Sequence, residues 1–443
     1  MFGATGTAVY DISAVANPST VPAAAFSGQT SGDYSTQMFT TSGGNFLYIC
    51  NGTNSPRLFN GATWTAITGV SAPAITGVTT SGLSFVWSFA NRLFFVEKNT
   101  TKAWYLPVSS VGGLAAALEL GSIFTRGGTL MFGGTWSMDS GSGLDDKCVF
   151  VSSEGEVAIY EGSDPSSAAT WNKVGVYFIS KPLGKNCTMR AGGDLLIGTA
   201  FGLVPISTAV SADIGAIGME SVSKMIGAYW REQASLIGTA QWEIRKWPDA
   251  GLLVMTQPHD ASGSWLMASL ATGAWARGTG LVSSALTQFG VDMYMGSTNG
   301  RVYKMETTGF DDAAAYTCRY LGLHEQMGTG WNEKAVEQMR PVLSGSTPVA
   351  VQVSANTNFA TDTSPPPSVV AYTASGLWDS FVWDVDAWDT SSAAGSITPG
   401  WSQVGRTGYV IAPEAQVTIG NAAKPDVELI AIETTIRPGA MVT

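Results

Sequence analysis

The chain has 443 residues, of which 45% are hydrophobic and 13% charged, and it carries a net charge of −11. So much apolar content excludes a disordered tail, and the acidic balance excludes a groove built to grip phosphates. The 52 Gly and 19 Pro would break long helices, while 15 Trp, 18 Phe and 13 Tyr suit half-buried pleated surfaces, so the composition predicts an all-β chain of short strands and tight turns.

In chain order, one pattern returns: a turn, an apolar strand, a Gly- or Asn-bearing turn, and a second strand ending aromatic or apolar. Phe46, Leu47, Tyr48 and Ile49 lead through Asn51-Gly52 to Arg57, Leu58, Phe59 and then Trp64. Leu93, Phe94, Phe95 and Val96 lead through Asn99-Thr100 to Ala103, Trp104 and Tyr105. Leu130, Met131 and Phe132 open a longer copy that closes with Val157, Ala158, Ile159 and Tyr160. Leu195, Leu196 and Ile197 run on to Leu203, Val204 and Ile206, and Leu252, Leu253 and Val254 are followed by Trp265, Leu266 and Trp275. Met293, Tyr294 and Met295 meet Val302 and Tyr303, and the opening from Met1 to Tyr10 resembles this copy as a partial seventh, as if the chain began within a repeat.

The repeat length averages near the ~40–50 residues of a propeller blade. Sheets apolar on both faces cannot bury themselves alone; closing a stack radially leaves only short, protected edges. The reading is therefore a β-propeller of six to seven blades over residues 1–310. A β-sandwich or a solenoid competes, and the irregular spacing speaks against the solenoid. One stretch breaks the pattern: from Gly218 to Glu232, Met219, Val222, Met225, Ile226, Tyr229 and Trp230 recur at three- and four-residue steps, predicting one short amphipathic helix. After residue 310 the rhythm changes, and a stiff run at Pro365, Pro366 and Pro367 interrupts it, so residues 311–443 read as a separate C-terminal β module with a sandwich-like core.

Four cysteines, Cys50, Cys148, Cys187 and Cys318, form no CxxC pair, which predicts free buried thiols and a reducing compartment of assembly. No basic, apolar leader opens the chain, so no signal peptide is expected, and no stretch is long and apolar enough to predict a membrane anchor.

Candidate chemistry is sparse. The two histidines, His259 and His324, sit in no HExxH, GxSxG or Cys-His setting, and both read as structural, His259 in a surface loop. Asp164, Ser166 and Trp171 resemble the aspartate-box turn of sialidases, which is itself a structural motif, and no arginine triad accompanies it. The densest acidic run is Trp378, Asp379, Trp383, Asp384, Asp386, Trp388 and Asp389. Its Asp384, Asp386 and Asp389 lack the Gly and closing Glu of a calcium loop, so the run reads as aromatic packing, with Trp378, Asp379, Trp383, Asp384, Trp388 and Asp389 as inter-subunit or partner contacts. No catalytic residue, metal site or cofactor is expected, and the chain reads as a non-enzyme.

Three stretches resemble the tail nozzle and packaged-DNA-stabilisation proteins of short-tailed bacteriophages. They are the phrase from Asn91 to Leu106, the phrase from Trp171 through Gly193 to Ile206, and the Trp-Asp run with Gly400-Trp401 and Val404-Gly405. The resemblance implies a virion tail protein assembled in the host cytoplasm. It implies a homo-oligomeric ring, six subunits in number, contacting portal or adaptor and fibre or spike proteins. DNA would pass through the ring unbound, and an acidic wall would keep phosphates moving. A non-phage propeller acting as a protein-binding platform is the alternative, and a carbohydrate-binding or glycan-hydrolysing propeller the third.

Overall fold

The structure, a computed structural model, describes residues 1–13, 19–137, 146–211, 221–328, 330, 332–345, 349–362, 364–368, 395–397, 400–420 and 426–441. The chain divides into two compact units, Met1–Met305 and Glu306–Thr443. Both are all-β and built from small antiparallel sheets, with one short parallel pair.

The first unit opens with a three-stranded sheet of β1 (Phe2–Ala4), β2 (Ala8–Asp11) and β3 (Ala24–Ser27). A four-stranded sheet follows, of β4 (Ser35–Thr41), β5 (Gly44–Cys50), β6 (Arg57–Phe59) and β7 (Trp64–Ala66). After β8 (Ile75–Thr76) come β9 (Leu83–Phe89), β10 (Arg92–Glu97), β11 (Lys102–Tyr105), β12 (Gly113–Leu114) and β13 (Ala116–Glu119). Here β8 and β12 form the parallel pair, and the other four strands form the third sheet. The fourth sheet is β14 (Leu130–Trp136), β15 (Lys147–Ser152), β16 (Glu156–Gly162) and β17 (Trp171–Phe178). The fifth has three strands, β18 (Thr188–Ala191), β19 (Asp194–Thr199) and β20 (Gly202–Pro205), followed by helices α1 (Ile206–Ser211) and α2 (Gly227–Ser235). The sixth is β21 (Ile244–Trp247), β22 (Leu252–Thr256), β23 (Trp265–Ser269) and β24 (Trp275–Gly278); the seventh is β25 (Ser283–Phe289), β26 (Asp292–Ser297) and β27 (Val302–Lys304).

Local sequence explains these hairpins. Between β9 and β10, Ala90 and Asn91 take φ of 47° and 55°, the two positive values that let a two-residue loop match strand twist. Consecutive sheets then meet through their first or second strands: β4 lies against β9, β9 against β14, β14 against β19, β18 against β21, and β21 against β25. Glycine makes two of these contacts possible. A Cβ on Gly133 of β14 would stand 2.3 Å from the Trp87 ring of β9, and one on Gly134 2.9 Å from Leu195 of β19. The bare backbone of β14 thus admits a large side chain from the sheet on either side. The core there is aromatic, with Trp87 stacked on Phe94 at 5.3 Å and Tyr160 stacked on Trp171 at 5.4 Å. Phe94, Phe132 and Phe150 are fully buried, each contributing about 1.5–3 kcal/mol by leaving water.

The expected helix is shifted and shortened. A 3-10 turn over Lys224–Ile226 leads into α2, which runs to Ser235, and the start expected at Gly218 lies outside the described residues. Trp230 is fully buried as the apolar stripe requires, yet Met225 is 80% exposed, so the stripe does not continue upstream. The cause is competition for the backbone: Val222 N–H donates to the Leu203 carbonyl, and Leu203 N–H donates to Ser223 Oγ, so this stretch lines the edge of β20 instead of winding.

The second unit has two sheets. One is β28 (Tyr316–Leu321), β33 (Ile411–Ile419) and β30 (Ala350–Thr357); the other places β31 (Gly395–Ile397), β32 (Ser402–Gly408) and β34 (Val427–Met441) against the long β29 (Asn332–Gly345). Val336 and Met339 of β29, Val353 of β30 and Ile411 and Ala415 of β33 share one buried core, against which Ile432 and Ile436 of β34 pack. Alternation along β29 and β33 supplies that core from both sheets.

Candidate functional site

Between β4, β9, β18 and β21 of the first unit lies a hollow of about 300 Å³ with two charged side chains in its wall, each paired with a carboxylate. Ser35 and Gln37 of β4, Val86 and Trp87 of β9, Lys185 and Arg245 are among its walls. Lys185 is 7% exposed. Its ammonium pairs with the Asp33 carboxylate at 3.0 Å and donates to the Asp33 carbonyl at 2.9 Å and the Ser84 carbonyl at 3.4 Å. Next to it, Asn186 donates to the Tyr34 carbonyl. These bonds tie the turn before β18 to the segment before β4, 152 residues earlier in the chain. A lysine so deeply placed needs such partners, because an unpaired buried ammonium is costly.

Glu243, 7% exposed, forms the other half. One carboxylate oxygen meets Arg245 at 2.6 Å, the other accepts the Leu286 N–H of β25 at 2.9 Å, and Glu243 N–H donates to Thr256 Oγ1. Burial raises the Glu243 carboxyl above the usual range and nearby Asp33 adds to the rise, against the pull of Arg245, the Leu286 N–H and Lys185. Two thiols beside the cluster are silenced: burial pushes Cys50 and Cys187 up to about 12. The arrangement joins β21 to β25 through Glu243, and the β18 turn to the starts of β4 and β9 through Lys185. Its carboxylates accept from fixed donors, and burial biases Glu243 toward its protonated form.

No sequence signal marked these four residues, since Asp33, Lys185 and the Glu243-Arg245 pair lie far apart in the chain. The residues that were singled out fall elsewhere. Trp378, Asp379, Trp383, Asp384, Asp386, Trp388 and Asp389 lie outside the described residues. Among the described residues, no three His, Cys, Asp or Glu groups are placed to hold a metal, and no helix is long and apolar enough to cross a membrane. His259 is not a free surface group: it stacks on Trp242 at 5.7 Å, accepts Trp242 Nε1–H at Nδ1, and its Nε2 faces Gln233 of α2 at 3.2 Å. His324 packs against the Phe359 ring at 5.0 Å with the two planes tilted by 31°. Asp164 caps its own turn through Ser166 and pairs with Arg92 of β10 at 3.2 Å, the structural use expected of that turn. Of the cysteines, Cys50, Cys148 and Cys187 are buried and Cys318 is exposed, all of them free.

No family model matches this chain, and no curated protein matches it. Solved structures do match. Among them is a glycoside hydrolase family 43 arabinoxylan arabinofuranohydrolase from Bacillus subtilis, solved in complex with cellotetraose; it is 12% identical, with 91% of this chain and 79% of that chain covered and a TM-score of 0.27. That match corrects one expectation. The structure found is that of an enzyme, so the exclusion of catalysis drawn from missing motifs is withdrawn. The physical reason is that carboxylate-based hydrolysis needs two acidic groups from separate strands and leaves no local motif to find. A likeness this distant assigns no activity to the chain.

Proposed function

We propose that this protein is a structural component of a short-tailed phage tail, a nozzle ring in which the sheets of the first unit stand as blades around an axis. The observation that carries the reading is the Lys185 tie. It binds the fifth sheet back to the starts of the second and third, as a radial arrangement requires and a linear stack does not. The three phrases that resemble those of nozzle proteins motivate the phage assignment, and the net charge of −11 suits a wall that DNA passes without sticking. Light scattering and electron microscopy of the purified chain with tail components test it. Closed rings are expected, and a monomer that never assembles would overturn the reading.

One feature favours a second reading, a glycan-binding or glycan-hydrolysing domain: the carboxyl of Glu243, held protonatable beside a hollow walled by Arg245 and Trp87. Glycan turnover abolished by Glu243→Gln would establish it. No turnover by the wild-type chain across a panel of polysaccharides would remove it.

A further inference from the structure

From β4 onward, the sheets of the first unit differ at their outer edges. Four of them end in a further strand, β7, β13, β17 or β24, and three of those strands begin with tryptophan, at Trp64, Trp171 and Trp275. The fifth sheet has no such strand, but the stretch before α2 takes its place by bonding both backbone groups of Leu203. The seventh sheet stops at β27, which among the described residues pairs with β26 alone.

Register says which groups of β27 are left over. Met305 N–H donates to Met293 and Ser297 N–H to Arg301, and Met295 stands opposite Tyr303, so Arg301, Tyr303 and Met305 are turned toward β26. Val302 and Lys304 therefore turn their N–H and C=O groups outward, and the Val302 side chain is 44% exposed. Such an edge is a template for another strand.

The second unit carries a segment of the right kind. Trp401, Val404 and Gly405 repeat the spacing of Trp171, Val174 and Gly175, the phrase that forms the outer strand of the fourth sheet. Trp401 is 42% exposed and is held under the Arg340 guanidinium at 4.9 Å. The strand it leads, β32, bonds to β29 on one side only among the described residues. Its first three residues, before Gly405 turns at φ 60°, match the length of β27.

We propose that Trp401–Val404 of one copy pairs with the open edge of β27 in a neighbouring copy, completing the seventh sheet and joining copies head to tail. A contact between two different surfaces closes into a ring when its rotation divides the circle. The pairing rests on the ring reading above and names its interface.

Amide hydrogen exchange on the wild-type chain, isolated and assembled, is the test. In the isolated chain the Tyr303 amide is expected to exchange slowly and the Val302 and Lys304 amides fast. In the ring, Val302 and Lys304 should slow about tenfold or more. Trp401→Ala and Val302→Pro should each raise the concentration needed for assembly about tenfold or more; Trp401→Ala leaves the β27 backbone intact, so it guards against misfolding of the proline variant. Rings that form while the Val302 and Lys304 amides stay fast would overturn the pairing and spare the ring reading. Protection already present in the isolated chain would mean the chain covers its own edge, which also overturns it. A wild-type chain that forms no rings removes both.

Discussion

Each unit holds a buried glutamate ion-paired with an arginine, Glu243 in the first and Glu414 in the second, and the two carboxyls shift in opposite directions. In the first unit Glu243 has Arg245 and one backbone N–H, and burial wins, so the carboxyl is raised. In the second unit Glu414 is fully buried on β33, and burial alone would raise it too. There Arg319 Nε donates at 2.7 Å, Gln416 at 2.8 Å and Asn356 at 2.6 Å, and these bonds with the Arg319 charge bring the carboxyl below its usual range; Ser354 also donates, at 3.2 Å. The lesson is that one cation does not decide the ionisation of a buried acid. The number of donors fixed around it does.

The largest expected effect breaks the better-satisfied site. Glu414→Ala strands Asn356 without an acceptor and removes the carboxylate from the partly buried Arg319, which keeps only the Asp362 carbonyl, and should cost the second unit about 3 kcal/mol in urea unfolding. Loss below about 1 kcal/mol would mean water replaces the carboxylate freely. Next comes Gly133→Ala, which forces a methyl into the Trp87 ring and should cost the first unit about 2 kcal/mol, leaving the transition of the second unit in place.

A smaller effect sharpens the contrast through pH. Because folding raises the Glu243 carboxyl, its contribution is fully present below the ordinary glutamate range and is lost as pH rises through the folded value. Glu414 runs the other way: its contribution is present above that range and is lost as pH falls through the lowered value. Glu243→Gln should therefore gain stability relative to wild type on going from pH 4 to pH 8, whereas Glu414→Gln should lose it over the same interval. Equal slopes for the two variants would contradict the contrast. The smallest effect concerns His259. Burial lowers its imidazole against the pull of Asp260, so the bond from Trp242 is kept at neutral pH and lost as pH falls. Melting curves of His259→Gln should then vary less with pH between 5 and 7 than those of wild type.

The strands were legible because their cause is local. Leu93, Phe94, Phe95 and Val96 form one unbroken apolar run between turn residues on either side, and the chain needs nothing further to mark a strand there. The charged cluster was not legible, because Asp33, Lys185 and Glu243 acquire their chemistry only when strands from distant sheets meet. The signal that could have hinted at it is scarcity: with only 13% charged residues, each lysine, Lys185 among them, is an uncommon residue in this chain. The helix was half legible. Trp230 showed its buried side, but the serines before it had a rival use at the edge of β20 that periodicity could not reveal.

The thiols buried at Cys50, Cys148 and Cys187 sit in or beside the second, fourth and fifth sheets, while Cys318 alone stands in the open. This distribution equips the molecule with built-in reporters. A bulky alkylating reagent added to the native protein would tag one position at once, and the later appearance of a second, third or fourth tag would time the breathing of each sheet separately, with no engineered label.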